Sequence, residues 1–113
     1  MEGIIFSYIH TNHKVGVMIE LNCETDFVSK RPEFYQLAKN IAMQIAASDL
    51  IHGSNDNINN KLTVKKNQKL LLMKSFFIKN NKITIEQLIN QNIILLGENI
   101  IISRFIKFIL AQK

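Results

Sequence analysis

Cys23 is the only thiol in this 113-residue chain, and His10 and His13 are bases that could activate it. A nucleophilic cysteine needs a base within hydrogen-bond reach and a third group to orient that base. No such constellation is visible. Cys23 therefore reads first as a small buried hydrophobe, with a small Cys/His hydrolase as the alternative from the enzyme class. Glu20, Glu24 and Asp26 are carboxylates close together in sequence. Oxygen-ligand metal sites need a defined ligand set, and carboxylates scattered past a strand end read instead as solvated. One cysteine forms no internal disulfide and falls short of the four ligands of a zinc site. The expectation is a chain with no cofactor and no metal of its own, working in a reducing compartment.

The run Asn22-Cys23-Glu24-Thr25-Asp26-Phe27-Val28 suggests chemistry of another kind. An acid beside a large apolar ring, at the mouth of a helix, suits a probe pushed into a second protein. Taken alone, Phe27 is more often core than probe. Thr25 and Asp26 could simply cap a short helix, and a cap is compatible with a partner contact.

The elements that must position this run are legible from periodicity. Gly3 to His10 reads as a strand, with Ile4, Phe6 and Tyr8 on one face and Ile5, Ser7 and Ile9 on the other. Val15 to Leu21 alternates more cleanly: Val15, Val17, Ile19 and Leu21 against Gly16, Met18 and Glu20. Period-two alternation of β-branched residues marks a half-buried strand. The polar Thr11-Asn12-His13-Lys14 between them has turn chemistry, so the pair forms a hairpin. Pro32 opens a helix, where its missing N–H costs nothing. Phe34, Leu37, Ala38, Ile41, Ala42 and Ile45 recur at helical spacing to about Ser48. His52 to Gln68 reads as a polar loop whose basic second half is compatible with a weak helix. Leu70 to Ile78 is apolar, short and ambiguous. Thr84 and Gln87 form a capping box, Gly97 ends the helix they open, and Ile85, Leu88, Ile89, Leu95 and Leu96 form its apolar face. Glu98 to Leu110 reads as a third strand, with Ile100, Ile102, Ile106 and Phe108 beside Arg104 on one face and Ile101, Phe105 and Ile109 on the other.

The predicted fold class is α+β: a three-stranded antiparallel sheet with helices packed on one face, two layers, in a single domain over residues 1–113. Both faces of the last strand are apolar, which one layer of helices cannot cover. A second copy of the chain is the expected cover.

Composition narrows the partners. The formal charge is +5, but the lysines are scattered, with a mild concentration at Lys61, Lys65, Lys66 and Lys69. Arg31 and Arg104 are the only arginines, and base-reading proteins rely on arginine. No aromatic side chains are interleaved with the lysines for base stacking. Direct nucleic-acid binding is not expected. The longest apolar runs, Ile93 to Leu96 and Ile100 to Ile102, are too short to span a bilayer, and no signal-peptide pattern opens the chain. The bias toward isoleucine, asparagine and lysine resembles that of proteins from AT-rich genomes. The expected setting is an organelle genome (plastid or mitochondrial) or the cytoplasm of a bacterium with such a genome.

Several segments together resemble one family. Gly3-Ile4-Ile5, Tyr8-Ile9-His10, Val15-Gly16-Val17, Glu20 through Val28, Leu37-Ala38-Lys39, Ala42 through Ala47 and Leu96-Gly97-Glu98-Asn99-Ile100 are similar to elongation factor Ts, in the same order and over nearly the whole chain. Phe34 follows Val28 at the family's spacing, and Phe76 to Lys79 resembles the segment before its last helix. The resemblance implies the core (dimerisation) domain of a guanine nucleotide exchange factor for elongation factor Tu in translation elongation, not an enzyme. It implies that Thr25, Asp26, Phe27 and Val28 press on the partner's G domain near its Mg²⁺ and nucleotide, disturb the metal and loosen GDP. The implied partners are elongation factor Tu, GDP-bound and nucleotide-free, and a second copy of the chain.

The sequence also departs from the family. Set against that resemblance, the expectation is a chain lacking the family's N-terminal helical domain, with the long insertion after the first core helix shrunk to His52–Gln68. One core copy stands where longer relatives carry two, and Arg31 replaces the usual polar helix cap. A fragment that dimerises without exchange activity is the further alternative.

Overall fold

Alternating apolar residues build the predicted hairpin in a computed structural model that describes residues 1–54 and 67–111. Strand β1 spans Glu2–Ile9 and β2 spans Val15–Cys23, paired antiparallel from Glu2↔Cys23 to Ile9↔Gly16. A one-turn helix α1, Asp26–Ser29, follows. Pro32 then opens α2, Pro32–Ala47, whose buried face is the predicted stripe from Phe34 to Ile45. This stripe packs on the inner face of the hairpin, where Val17, Ile19 and Leu21 are buried. Phe6 meets Tyr35 edge-on at 5.0 Å, a geometry that suits the ring quadrupoles.

The sheet has four strands rather than three, in the order β1-β2-β6-β3 with β6 spanning Ile101–Ile109, and every pair is antiparallel. The added strand, β3, is His52–Ser54 and lies in the segment expected to be loop. Three residues are too few to show a period, and Gly53-Ser54 carries turn chemistry. Gly53 is required there because a Cβ would stand 2.3 Å from the Phe105 ring. The outer edge of β3 is closed by side chains. Asn67 accepts from the Ser54 N–H at 3.2 Å and donates to its carbonyl at 2.8 Å, while Gln68 Oε1 accepts from the Ile51 N–H at 2.6 Å. An edge strand sealed in this way offers less template for mispairing. Lys61, Lys65, Lys66 and the weak helix expected near them lie outside the described residues. Lys69 is not part of a solvated loop: it begins helix α3, Lys69–Lys74, where partial burial lowers its pKa.

The ambiguous run resolves into α3 and a small hairpin, β4 (Phe76–Phe77) with β5 (Asn80–Thr84). Gln44 of α2 reaches across to it. Its Nε2 donates to the Phe76 carbonyl at 2.8 Å and its Oε1 accepts from the Ile78 N–H at 2.8 Å. That pairing explains a buried glutamine in an otherwise apolar stripe. Helix α4, Ile85–Leu96, opens on the Thr84–Gln87 capping box and closes at Gly97 with φ +79°. Its buried stripe is Ile85, Leu88 and Ile89, continued by half-buried Ile93 and Leu96. Leu95, expected on this stripe, is exposed instead, since a 3.6-residue period runs from 89 to 93 and 96.

Strand β6, Ile101–Ile109, differs in its faces. The register steps from Leu21↔Ile102 to Glu20↔Arg104, so Ser103 is an extra residue on β6. A bulge of one residue flips the alternation beyond it. Ile102, Phe105 and Lys107 point inward, while Arg104, Ile106 and Phe108 point outward. Strict alternation from the sequence had put Ile102 on the face of Arg104 and Phe108. Lys107 is buried, and its ammonium donates to the Ile45 carbonyl at 3.1 Å and to the Ser48 carbonyl at the C-terminal end of α2. That end of a helix carries partial negative charge. Burial pulls the Lys107 pKa down, and the Asp49 carboxylate opposes the shift.

Candidate partner-binding site

Phe27 stands on α1 with 82 % of its surface exposed. Exposure so large for a phenylalanine is uncommon, because burying the ring would contribute ~1.5–3 kcal/mol. Its neighbour Val28 points the other way and is buried in the core. One turn of helix thus holds a core anchor and a bare ring side by side.

The base of this turn is fixed by a carboxylate from the far end of the chain. Glu98 Oε1 accepts from the Glu24 N–H at 3.1 Å and the Thr25 N–H at 3.0 Å, and Glu98 Oε2 accepts from the Thr25 hydroxyl at 2.5 Å. Glu24 returns the contact: its Oε2 accepts from the Asn99 N–H at 2.8 Å. The Thr25 hydroxyl, assisted by the two N–H groups, holds the Glu98 carboxyl below its ordinary pKa against the opposing effect of burial. Thr25 occupies the N-cap position of α1 without making a side-chain cap, because its hydroxyl is turned to Glu98. The capping expected of Thr25 is therefore replaced by a longer-range contact. Asp26 is exposed and lies 3.5 Å from Lys30 Nζ, one turn on.

The other candidate residues are dispersed. Cys23 is buried, donates to the Thr25 carbonyl at 3.2 Å, and has its pKa raised first by burial and then by the Glu98 charge. It is held as a thiol, the opposite of what a nucleophile needs. His10 and His13 lie at the hairpin turn, where His10 Nδ1 meets the Tyr8 hydroxyl at 3.1 Å. Cys23 ends β2 at the opposite end, roughly 26 Å away at strand rise. Cys23 and these histidines therefore cannot share a hydrolase site. Glu20 pairs with Arg104 Nε at 2.9 Å on the outer face, Glu24 binds Asn99, and Asp26 faces Lys30, so the three carboxylates serve separate partners. Among the described residues, no three His, Cys, Asp or Glu side chains gather as a metal would need.

A second feature lies on the outer face of the sheet. Ile5, Ile9, Met18, Ile106 and Phe108 are all exposed there. Ile5, Met18 and Ile106 help line an open groove of about 570 Å³, with Arg104 and Glu20 beside them.

Glu98 is the residue that sequence reasoning missed as part of the site. The available signal was Gly97, whose left-handed cap turns the chain so that the next residue leaves the helix axis.

The model of the family described as "Elongation factor TS" matches residues 1–76 and 24–113, which together take in the whole chain. The chain belongs to the elongation factor Ts family. It is 44% identical over 141 residues to "Elongation factor Ts, chloroplastic" of Porphyra purpurea, covering 98% of this chain and 64% of that protein. It is 43% identical to the protein of the same name from Pyropia yezoensis, and 38% identical to "Elongation factor Ts" of the bacterium Rippkaea orientalis, covering 57% of the latter. The chain thus spans a little under two thirds of the length of these relatives. The aligned span of 141 positions exceeds the chain's 113 residues, so the relatives carry additional residues within it. Among the described residues, no helix is long and apolar enough to cross a membrane.

Proposed function

We propose that this chain is a core domain of the elongation factor Ts type that promotes GDP release from elongation factor Tu. The observation that carries the reading is Phe27, bare to solvent on a turn whose other face is anchored in the core. Phe27 enters an apolar recess of the partner's G domain beside the nucleotide. Asp26 brings a negative charge near a site that depends on a cation. Thr25 and Val28 hold the turn that presents them. No bond is made or broken, since exchange needs only a higher affinity for the nucleotide-free partner. Relatives named as elongation factors Ts, some of them chloroplastic and some bacterial, support a role in translation elongation in a plastid or a bacterium.

We infer further that two copies pair through the outer sheet face. Its support is the apolar surface left open by Met18, Ile106 and Phe108, which one helical layer cannot cover.

Linkage supplies the test of exchange. GDP and this chain must weaken each other's binding to elongation factor Tu by one common factor. Titration calorimetry of the chain into GDP-bound and nucleotide-free partner measures that factor from one side, and GDP affinity with and without the chain measures it from the other. Two equal factors well above one are expected. Equal affinity for the two partner states would contradict the reading.

A further inference from the structure

We propose that Glu98 is the positioning residue of the site: its carboxylate sets the direction in which Phe27 is presented to the partner. The inference rests on the reading of Phe27 as the probe. A four-residue helix lies far below the length at which a helix supports itself. The orientation of α1 must therefore come from its surroundings. On its inner side Val28 enters the core, and at its C-terminal end the Arg31 N–H returns to the Val28 carbonyl at 3.0 Å. Its N-terminal end has left the β2 ladder, and three donors there (the Glu24 and Thr25 N–H groups and the Thr25 hydroxyl) all converge on Glu98. Each is a charge-assisted hydrogen bond, stronger than its neutral counterpart.

Glu98 itself is held on both sides. Gly97 closes α4, with its N–H on the Ile93 carbonyl at 2.8 Å, and Ile100 is buried two residues on. The contact is also reciprocal, since Glu24 takes the Asn99 N–H. The two backbone turns therefore lock to each other through exchanged carboxylates. Releasing Glu98 leaves Val28 anchored but frees the turn's N-terminal end, so Phe27 sweeps a range of directions.

The test compares wild type, Glu98→Ala, Glu98→Gln, Phe27→Ala and the Phe27→Ala/Glu98→Ala double variant. In the free chain, Glu98→Ala should speed amide hydrogen exchange at Glu24 and Thr25 while Ile19 and Ile41 stay protected. With elongation factor Tu, it should lower the maximal GDP-release rate about tenfold. It should have no further effect in the Phe27→Ala background, because it acts through that ring. Glu98→Gln keeps an oxygen acceptor and should recover most of the rate. If Glu98→Ala is not folded at assay temperature, Glu98→Asp, one methylene too short to reach all three donors, carries the same comparisons. Unchanged amide protection at Glu24 and Thr25 would overturn the proposal. So would a rate loss of the same factor with and without Phe27. If the wild-type chain fails to accelerate GDP release, the reading of Phe27 as a probe falls, and the amide comparison alone decides whether Glu98 holds the turn.

Discussion

Phe27 and Val28 are adjacent, yet one side chain is exposed and the other buried, and that contrast yields separable predictions. Val28→Ala removes buried methyl groups and should cost ~2 kcal/mol of stability from lost transfer energy and a small cavity. A denaturant midpoint unchanged by that substitution would show that the turn is not anchored through Val28. Asp26→Ala breaks only an exposed pair with Lys30, and such pairs contribute less than ~1 kcal/mol. Its expected loss is in GDP release, and with Phe27→Ala the two losses should be non-additive because both residues address one surface. Glu98 adds a pH dependence. Its folded pKa lies below the ordinary 4.5, so its contribution is fully present above that value and is lost as pH falls through the lower folded pKa. The stability gap between wild type and Glu98→Ala should be level above pH 4.5 and close below it; a gap that widens in acid would mean the carboxylate is not the acceptor. The motif from Thr25 to Val28 was legible because it is continuous in sequence. The contact that fixes it was not, because Glu98 and Thr25 are 73 residues apart and no local pattern joins them.

Elements with strong local chemistry were read correctly. The Thr84–Gln87 capping box and the left-handed Gly97 bound α4 as their residue types demand. Thr84→Ala should cost ~1 kcal/mol through the lost cap, read as a lower denaturation midpoint. Gly97→Ala meets no neighbour within 4 Å, so its expected cost, ~1 kcal/mol, is that of the left-handed backbone alone. A neutral Gly97→Ala would show that α4 ends differently. Elements whose form depends on tertiary contacts were misread. Strand β3 has three residues and exists because β6 offers a partner and Asn67 and Gln68 seal its edge. The outer and inner residues of β6 were assigned by strict alternation, which holds from Arg104 to Ile109, but the bulge at Ser103 puts Ile102 on the face opposite Arg104, Ile106 and Phe108. A sign was present in Lys107, which no alternation explains unless its ammonium has partners. It finds them in the carbonyls at the end of α2.

At the scale of the molecule, helices cover the inner face of the sheet while Phe108 and Met18 leave the outer face open. The two-layer α+β architecture and the open face were both legible, because both follow from counting apolar faces against available cover. If two copies pair there, sedimentation should give a dimer at roughly tens of micromolar. Phe108→Glu should return a folded monomer, since burying an unpaired carboxylate opposes association. A wild-type chain that stays monomeric in that range would remove the pairing. Whether the exposed ring loosens the partner's nucleotide is read most directly from one paired measurement: release of fluorescent GDP from elongation factor Tu by wild type and Phe27→Ala, with the melting curve of each. Wild type should accelerate release, Phe27→Ala should lose most of the acceleration, and the two should melt within ~0.5 kcal/mol of each other, as for an exposed position. A Phe27→Ala chain destabilised by the ~3–5 kcal/mol of a truncated core phenylalanine, yet releasing GDP at the wild-type rate where folded, would contradict that role of the ring.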